Sequence, residues 1–153
     1  MRRVDRLLEE YGESHRNQTN KVIHWIFVPL IFLSIALLIW SIPFPFGDHW
    51  WFNWISLAIA LVTSYYLFLS PMIALGIFPI MILCIYVARF LDRTFDIPVW
   101  GIALLIFIIS WIFQFVGHKI EGKKPSFLKD LQFLLVGPAW LMHFIYKRIG
   151  IPY

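Results

Sequence analysis

Apolar residues in this chain arrive in long runs, not in the short periodic groups of a soluble fold. The first run covers about residues 22–42. No Lys, Arg, Asp or Glu occurs between Asp48 and Arg89, a stretch of forty residues. That is about twice the ~20 residues a helix needs to cross a bilayer. Ser70-Pro71 near its middle supplies a hairpin turn, which predicts spans at about 50–69 and 72–90. A fourth span is expected over about 99–116. Gly76 and Pro79 are expected to kink the third span unless its neighbours compensate. The pattern before the first run is different. In residues 2–11 the apolar positions Val4, Leu7, Leu8 and Tyr11 share one face, as in an amphipathic helix lying on a membrane surface. After the fourth run, residues 117–130 are polar. The last apolar segment, about 131–146, is interrupted by Gly137-Pro138 and reads as a re-entrant or interfacial element more readily than as a fifth span. The expected fold class is an all-α integral membrane protein with about four transmembrane helices, an N-terminal amphipathic helix and a C-terminal re-entrant or interfacial segment, all in one domain over residues 1–153.

Composition sharpens this picture. The chain is 60% hydrophobic and only 14% charged, against about 25% charged in soluble domains, so lipid must be the solvent for much of its surface. The +4 formal charge does not point to nucleic acid, because it accompanies no nucleic-acid-binding signature and its position suits a membrane. Arg2, Arg3, Arg6, Arg16 and Lys21 precede the first run, and Lys119, Lys123, Lys124 and Lys129 follow the fourth, whereas the opposite loops carry only Arg89 and Arg93. The excess of basic residues on one side predicts a cytoplasmic N-terminus. Trp50, Trp51 and Trp54 fit an aromatic belt at the other interface. Cys84 is the single cysteine, so an intrachain disulfide or thiolate cluster is excluded.

The candidate chemistry lies in the histidines. On this topology His15, His24, His118 and His143 fall at the cytoplasmic face, while His49 sits in the opposite loop. One histidine at an interface has an ordinary use in hydrogen-bonding a headgroup or a carbonyl. Four that converge from distant parts of the chain point to a metal, for which neutral imidazole is the commonest ligand. Other polar residues accompany them. If 13–24 is helical, Glu13, Asn17, Asn20 and His24 form one face. Gln114, His118 and Glu121 form another at the end of the fourth span. Such groups act as ligands or hold an imidazole in one tautomer. Asp92 and Asp96 more simply balance Arg89 and Arg93. Neither Ser14 nor Ser126 sits in a nucleophile elbow. The alternatives are a small four-helix transporter, which lacks the expected mid-membrane charge, a haem protein with paired histidines, and a zinc protein with the same ligands.

Two blocks are distinctive. One is Tyr11-Gly-Glu-Ser-His15-Arg-Asn17-Gln-Thr-Asn20-Lys-Val-Ile-His24. The other is Gln114-Phe-Val-Gly117-His118-Lys-Ile-Glu121-Gly-Lys-Lys-Pro125, followed by Gly137-Pro-Ala-Trp-Leu-Met-His143. Together they resemble the membrane family of 2-hydroxy fatty acid dioxygenases, known from a yeast enzyme that acts on 2-hydroxy-palmitic acid. The resemblance runs from about Tyr11 to Lys147. It implies a non-haem Fe(II) enzyme of fatty acid α-oxidation, taking a 2-hydroxy long-chain fatty acid and dioxygen to the acid one carbon shorter and releasing the carboxyl carbon. It also implies that His15, His24, His118 and His143 are the essential histidines. Glu13, Asn17, Asn20, Gln114 and Glu121 are then expected as ligands or supporting partners. Lys119, Lys123 or Lys124 is expected to steer the substrate carboxylate, with the acyl tail staying among the apolar helices so that the substrate need not leave the bilayer, and with membrane lipids as the other partners. A bacterial inner membrane is the expected location, or the endoplasmic reticulum in a eukaryote.

Overall fold

A computed structural model describes residues 2–47, 49, 51–122 and 133–153. The described chain is helical, with elements α1 (Arg3–Gly12), α2 (Gln18–Trp40), α3 (Trp54–Leu69), α4 (Pro71–Thr94), α5 (Val99–Glu121) and α6 (Val136–Ile149). The protein is an all-α membrane protein. Helices α2, α4 and α5 are each long and apolar enough to cross a bilayer. Large side chains such as Phe68, Leu61, Leu75 and Leu105 point outward, where lipid is the only solvent that suits them.

Several boundaries differ from expectation for local reasons. Asn53 caps α3 by accepting from Ser56 N, so this helix begins at Trp54 instead of near residue 50. Its 16 residues rise about 24 Å, short of a ~30 Å hydrocarbon core. Helix α2 begins earlier than expected, because Asn17 caps it through Thr19 N and Asn20 N. Residues 13–17 therefore lie outside a helix, and Glu13 and Asn17 do not continue the face shared by Asn20 and His24. Gly137-Pro138 does not break the last segment. It occupies the first turn of α6, where proline's missing N–H costs nothing. Helix α4 runs unbroken through Gly76 and Pro79. Gly76 is glycine because Met142 Sδ and the Tyr146 hydroxyl of α6 occupy the space a Cβ would need.

The longest contact is between α2 and α5, and α3 and α4 form the hairpin turned at Ser70. Phe27 of α2 stacks on Phe113 of α5 at 4.4 Å between centroids. The apolar face of α1 is covered by protein instead of lipid: Val4, Leu8 and Tyr11 are buried in the core with Trp140 and Tyr146 of α6. Two tyrosines tie this end to the hairpin, Tyr66 donating to Leu135 O and Tyr146 to Met72 O, each at 2.7 Å. The consequence is a bundle whose one end gathers the α1–α2 turn, the end of α5 and the start of α6.

Candidate metal centre

At that end three imidazoles meet. His15 sits in the turn between α1 and α2, His24 is on the second turn of α2, and His118 is on the last turn of α5. They are 3%, 1% and 5% exposed, close to complete burial for a residue type that prefers a wet edge. Their ring centroids lie 4.1 Å (His15–His24), 5.2 Å (His24–His118) and 5.6 Å (His15–His118) apart. One nitrogen from each falls within 4.8 Å of the other two.

The hydrogen bonds explain how such rings act together. His15 Nδ1 donates to Tyr11 O at 2.6 Å and His24 Nδ1 donates to Asn20 O at 3.0 Å. A carbonyl only accepts, so both rings carry their proton on Nδ1 and keep the Nε2 lone pair for a cation. This is the usual arrangement behind a metal-binding histidine. Three buried imidazoles, two of them with Nδ1 held on a carbonyl, suit iron, zinc or copper, so the residues fit a metal ion. Tyr11 also stacks on His15 at 4.2 Å, and Trp140 of α6 lies 5.2 Å from the same ring.

The surrounding polar residues form the scaffold. Glu121 accepts from Arg16 N at 2.8 Å, Asn17 N at 2.9 Å and Asn20 Nδ2 at 3.0 Å. Asn20 Nδ2 also donates to Ser14 O at 3.1 Å. One carboxylate on α5 therefore fastens the turn that carries His15 to the helix that carries His118. Asn17 is a helix cap and Asn20 a bridge. Glu13 is exposed, as is Lys119, and neither belongs to the histidine group. Lys123 and Lys124 lie outside the described residues. Gln114 is buried beside His24, and its Nε2 has no hydrogen-bond partner among the described residues. It faces a cavity of about 30 Å³ lined also by His24, Tyr11, Trp111 and Val28, room enough for a small polar molecule.

The structure does not bring His143 into this group. Helix α6 presents Trp140 to His15, and His143, one turn further on, is hydrogen-bonded to the Tyr153 hydroxyl. Burial, then the charge of Lys147, holds its pKa below the usual imidazole value, with Asp5 acting the other way. Arg2 lies over the Tyr153 ring and donates to Tyr153 O and to Asp5, which joins both chain ends to α6. His49 lies by Gly47 in the loop between α2 and α3, as expected. Sequence reasoning missed the roles of Tyr11, Trp140 and Gly117. Each stands inside a distinctive block, and Tyr11 also lies on the apolar face of α1.

Glu121 gives the first test. Glu121→Ala leaves three N–H groups without their shared acceptor and is expected to weaken metal binding about 10–100-fold, the usual effect of losing a residue that orients a ligand. Glu121→Gln, which keeps one good acceptor oxygen, is expected to fall between the two. Metal titration of the purified proteins measures this, and equal affinities would remove Glu121 from the support of the site.

No solved structure matches the chain. A curated relative, the 2-hydroxy-palmitic acid dioxygenase MPO1 of Saccharomyces cerevisiae, is 29% identical over 146 residues, covering 93% of this chain and 79% of the relative. The family model described as "2-hydroxy-palmitic acid dioxygenase Mpo1-like" matches residues 1–149, the whole of the helical bundle and its histidines, and the chain belongs to this Mpo1-like family.

Proposed function

We propose that the protein is a metal-dependent dioxygenase of 2-hydroxy long-chain fatty acids, producing the acid one carbon shorter. The observation that carries this reading is the buried group His15, His24 and His118 in a chain of the Mpo1-like family. With one dioxygen consumed per acid, the balance closes on the shorter acid, carbon dioxide from the carboxyl carbon, and water. The metal in this reading is Fe(II), held by the three histidines. When bound, it supplies a Lewis-acid and redox centre for dioxygen and for the substrate's carboxylate and 2-hydroxyl.

The chain's own residues do the rest. His15 and His24 present Nε2 because Tyr11 O and Asn20 O hold their Nδ1 protons. Glu121 keeps the His15 turn against α5. Gln114 offers an amide N–H toward the cavity, where it orients a substrate oxygen. Burial of the histidines excludes bulk water from the reacting atoms. Lys119, exposed one residue beyond His118, attracts the carboxylate from the membrane surface. His143 acts in this reading by holding Tyr153 against α6 and not as a fourth ligand. We place the site and the N-terminus on the cytoplasmic side of the membrane, with α3 as the fourth, short span, on the strength of the basic residues flanking α2 and α5.

Oxygen uptake tests this reading. Protein reconstituted with Fe(II) is expected to consume oxygen with 2-hydroxyhexadecanoic acid and not with hexadecanoic acid, which lacks the second chelating oxygen. Absence of uptake by protein carrying stoichiometric iron would refute it. Turnover by the zinc-loaded protein but not by the iron form would change the metal and the reaction class.

A further inference from the structure

Beside the metal centre runs an apolar groove of about 300 Å³ between α2, α4 and α6. Among the described residues no charged side chain lines it. It adjoins the site in two places. Val28, one turn after His24, lines both the site cavity and the groove. Gly137 lines the cavity and its neighbour Pro138 lines the groove. Gly137 packs closely where cavity and groove adjoin, since a Cβ there would lie 3.0 Å from Val28 Cγ1 and 3.2 Å from the Tyr11 hydroxyl. Away from the site, the wall runs along α4 from Ile77 to Val87, about 15 Å at the helical rise. That is half of a ~30 Å hydrocarbon core, the depth of one leaflet.

We propose that this groove is the acyl-chain subsite, and that Leu83 and Val87 at its deep end set the preferred chain length. The proposal rests on the dioxygenase reading above. A leaflet-deep groove that opens to lipid and ends beside the histidines fits a substrate that keeps its tail in the bilayer while its polar end reaches the metal. Packing of each further methylene against the helix walls favours the longer acid until the chain passes Val87. The occupant is one unbranched acyl chain, because the groove is apolar along its length and Val28 and Gly137 pack closely where it meets the cavity.

The test uses the full-length protein loaded with iron. Leu83 is 58% exposed, so Leu83→Trp lays an indole across the groove without overpacking the core. The ratio of kcat/KM for 2-hydroxyhexadecanoic over 2-hydroxyoctanoic acid is expected to fall about tenfold or more. Leu61→Trp, on the outer face of α3 and outside the groove, is expected to leave that ratio unchanged. An unchanged ratio in a Leu83→Trp protein that retains its metal would overturn the assignment. Independently of any variant, wild-type protein is photolabelled with 2-hydroxyhexadecanoic acid carrying a diazirine at its chain terminus. Adducts at Leu83, Val87 or Leu33 support the groove, and adducts on the outer face of α5, at Leu105 or Ile108, overturn it. Failure of wild-type protein to turn over any 2-hydroxy acid would instead remove the dioxygenase reading, and the labelling pattern would still report where the chain lies.

Discussion

The His118→Ala protein is expected to insert, fold and purify, to carry no stoichiometric metal, and to turn over 2-hydroxyhexadecanoic acid below detection. His118 is the only one of the three clustered histidines that comes from α5. Removing it leaves two imidazoles from one short stretch of chain, too few to hold a divalent ion in a buried site against water. The fold has other supports at the same place. Phe27 still stacks on Phe113, and Glu121 still fastens the turn before α2. Truncating one buried side chain costs about 2–5 kcal/mol, set against the lipid-driven insertion of three apolar helices. Elemental analysis beside a circular dichroism spectrum separates loss of metal from loss of fold. Wild-type turnover by the variant would take His118 out of the site, and retained metal with lost turnover would move its role from ligation to the reaction.

That the histidines would meet was legible because topology did the work. Runs of apolar residues fix how often the chain crosses the bilayer, and crossing number decides which loops share a face. Topology therefore brings His15, His24, His118 and His143 to one face, where the first three meet. The placement of His143 was not legible by the same logic. A 14-residue helix packed against a bundle has little in its apolar pattern to fix its rotation, and α6 turns Trp140 toward His15 instead. The roles of the polar residues were blurred for a related reason. The 13–24 face requires a continuous helix, but Asn17 is a cap, and caps are signalled by the same residue types that coordinate metals. Likewise α1 read as a surface helix because an amphipathic pattern states only that one face is apolar. Whether lipid or α6 covers that face is a tertiary fact.

Gly117 carries the second large effect, and here two opposing magnitudes must be compared. Alanine in a helix interior is favoured over glycine by about 1 kcal/mol, so on propensity alone Gly117→Ala would stabilise α5. The packing says otherwise. A Cβ at this position would overlap Asn20 Oδ1 and press on Ile23 Cγ2 at 3.4 Å. Asn20 cannot swing away freely, because its Nδ2 is tied to Ser14 O and to Glu121. Overpacking of this kind costs about 1–3 kcal/mol, and relief by separating α2 from α5 breaks the hydrogen bonds that set His15 and His24 relative to His118. The expected result is a lower melting temperature together with metal affinity reduced at least 10–100-fold, the scale for losing ligand orientation. A double-mutant cycle isolates the cause. Asn20→Ala alone removes the bridge and loosens the site. In that background Gly117→Ala has little left to strike, so the two stability losses should sum to more than the double variant shows. Strict additivity would mean that Gly117 and Asn20 do not touch, and that the approach of α2 to α5, on which the three-histidine geometry depends, is held elsewhere.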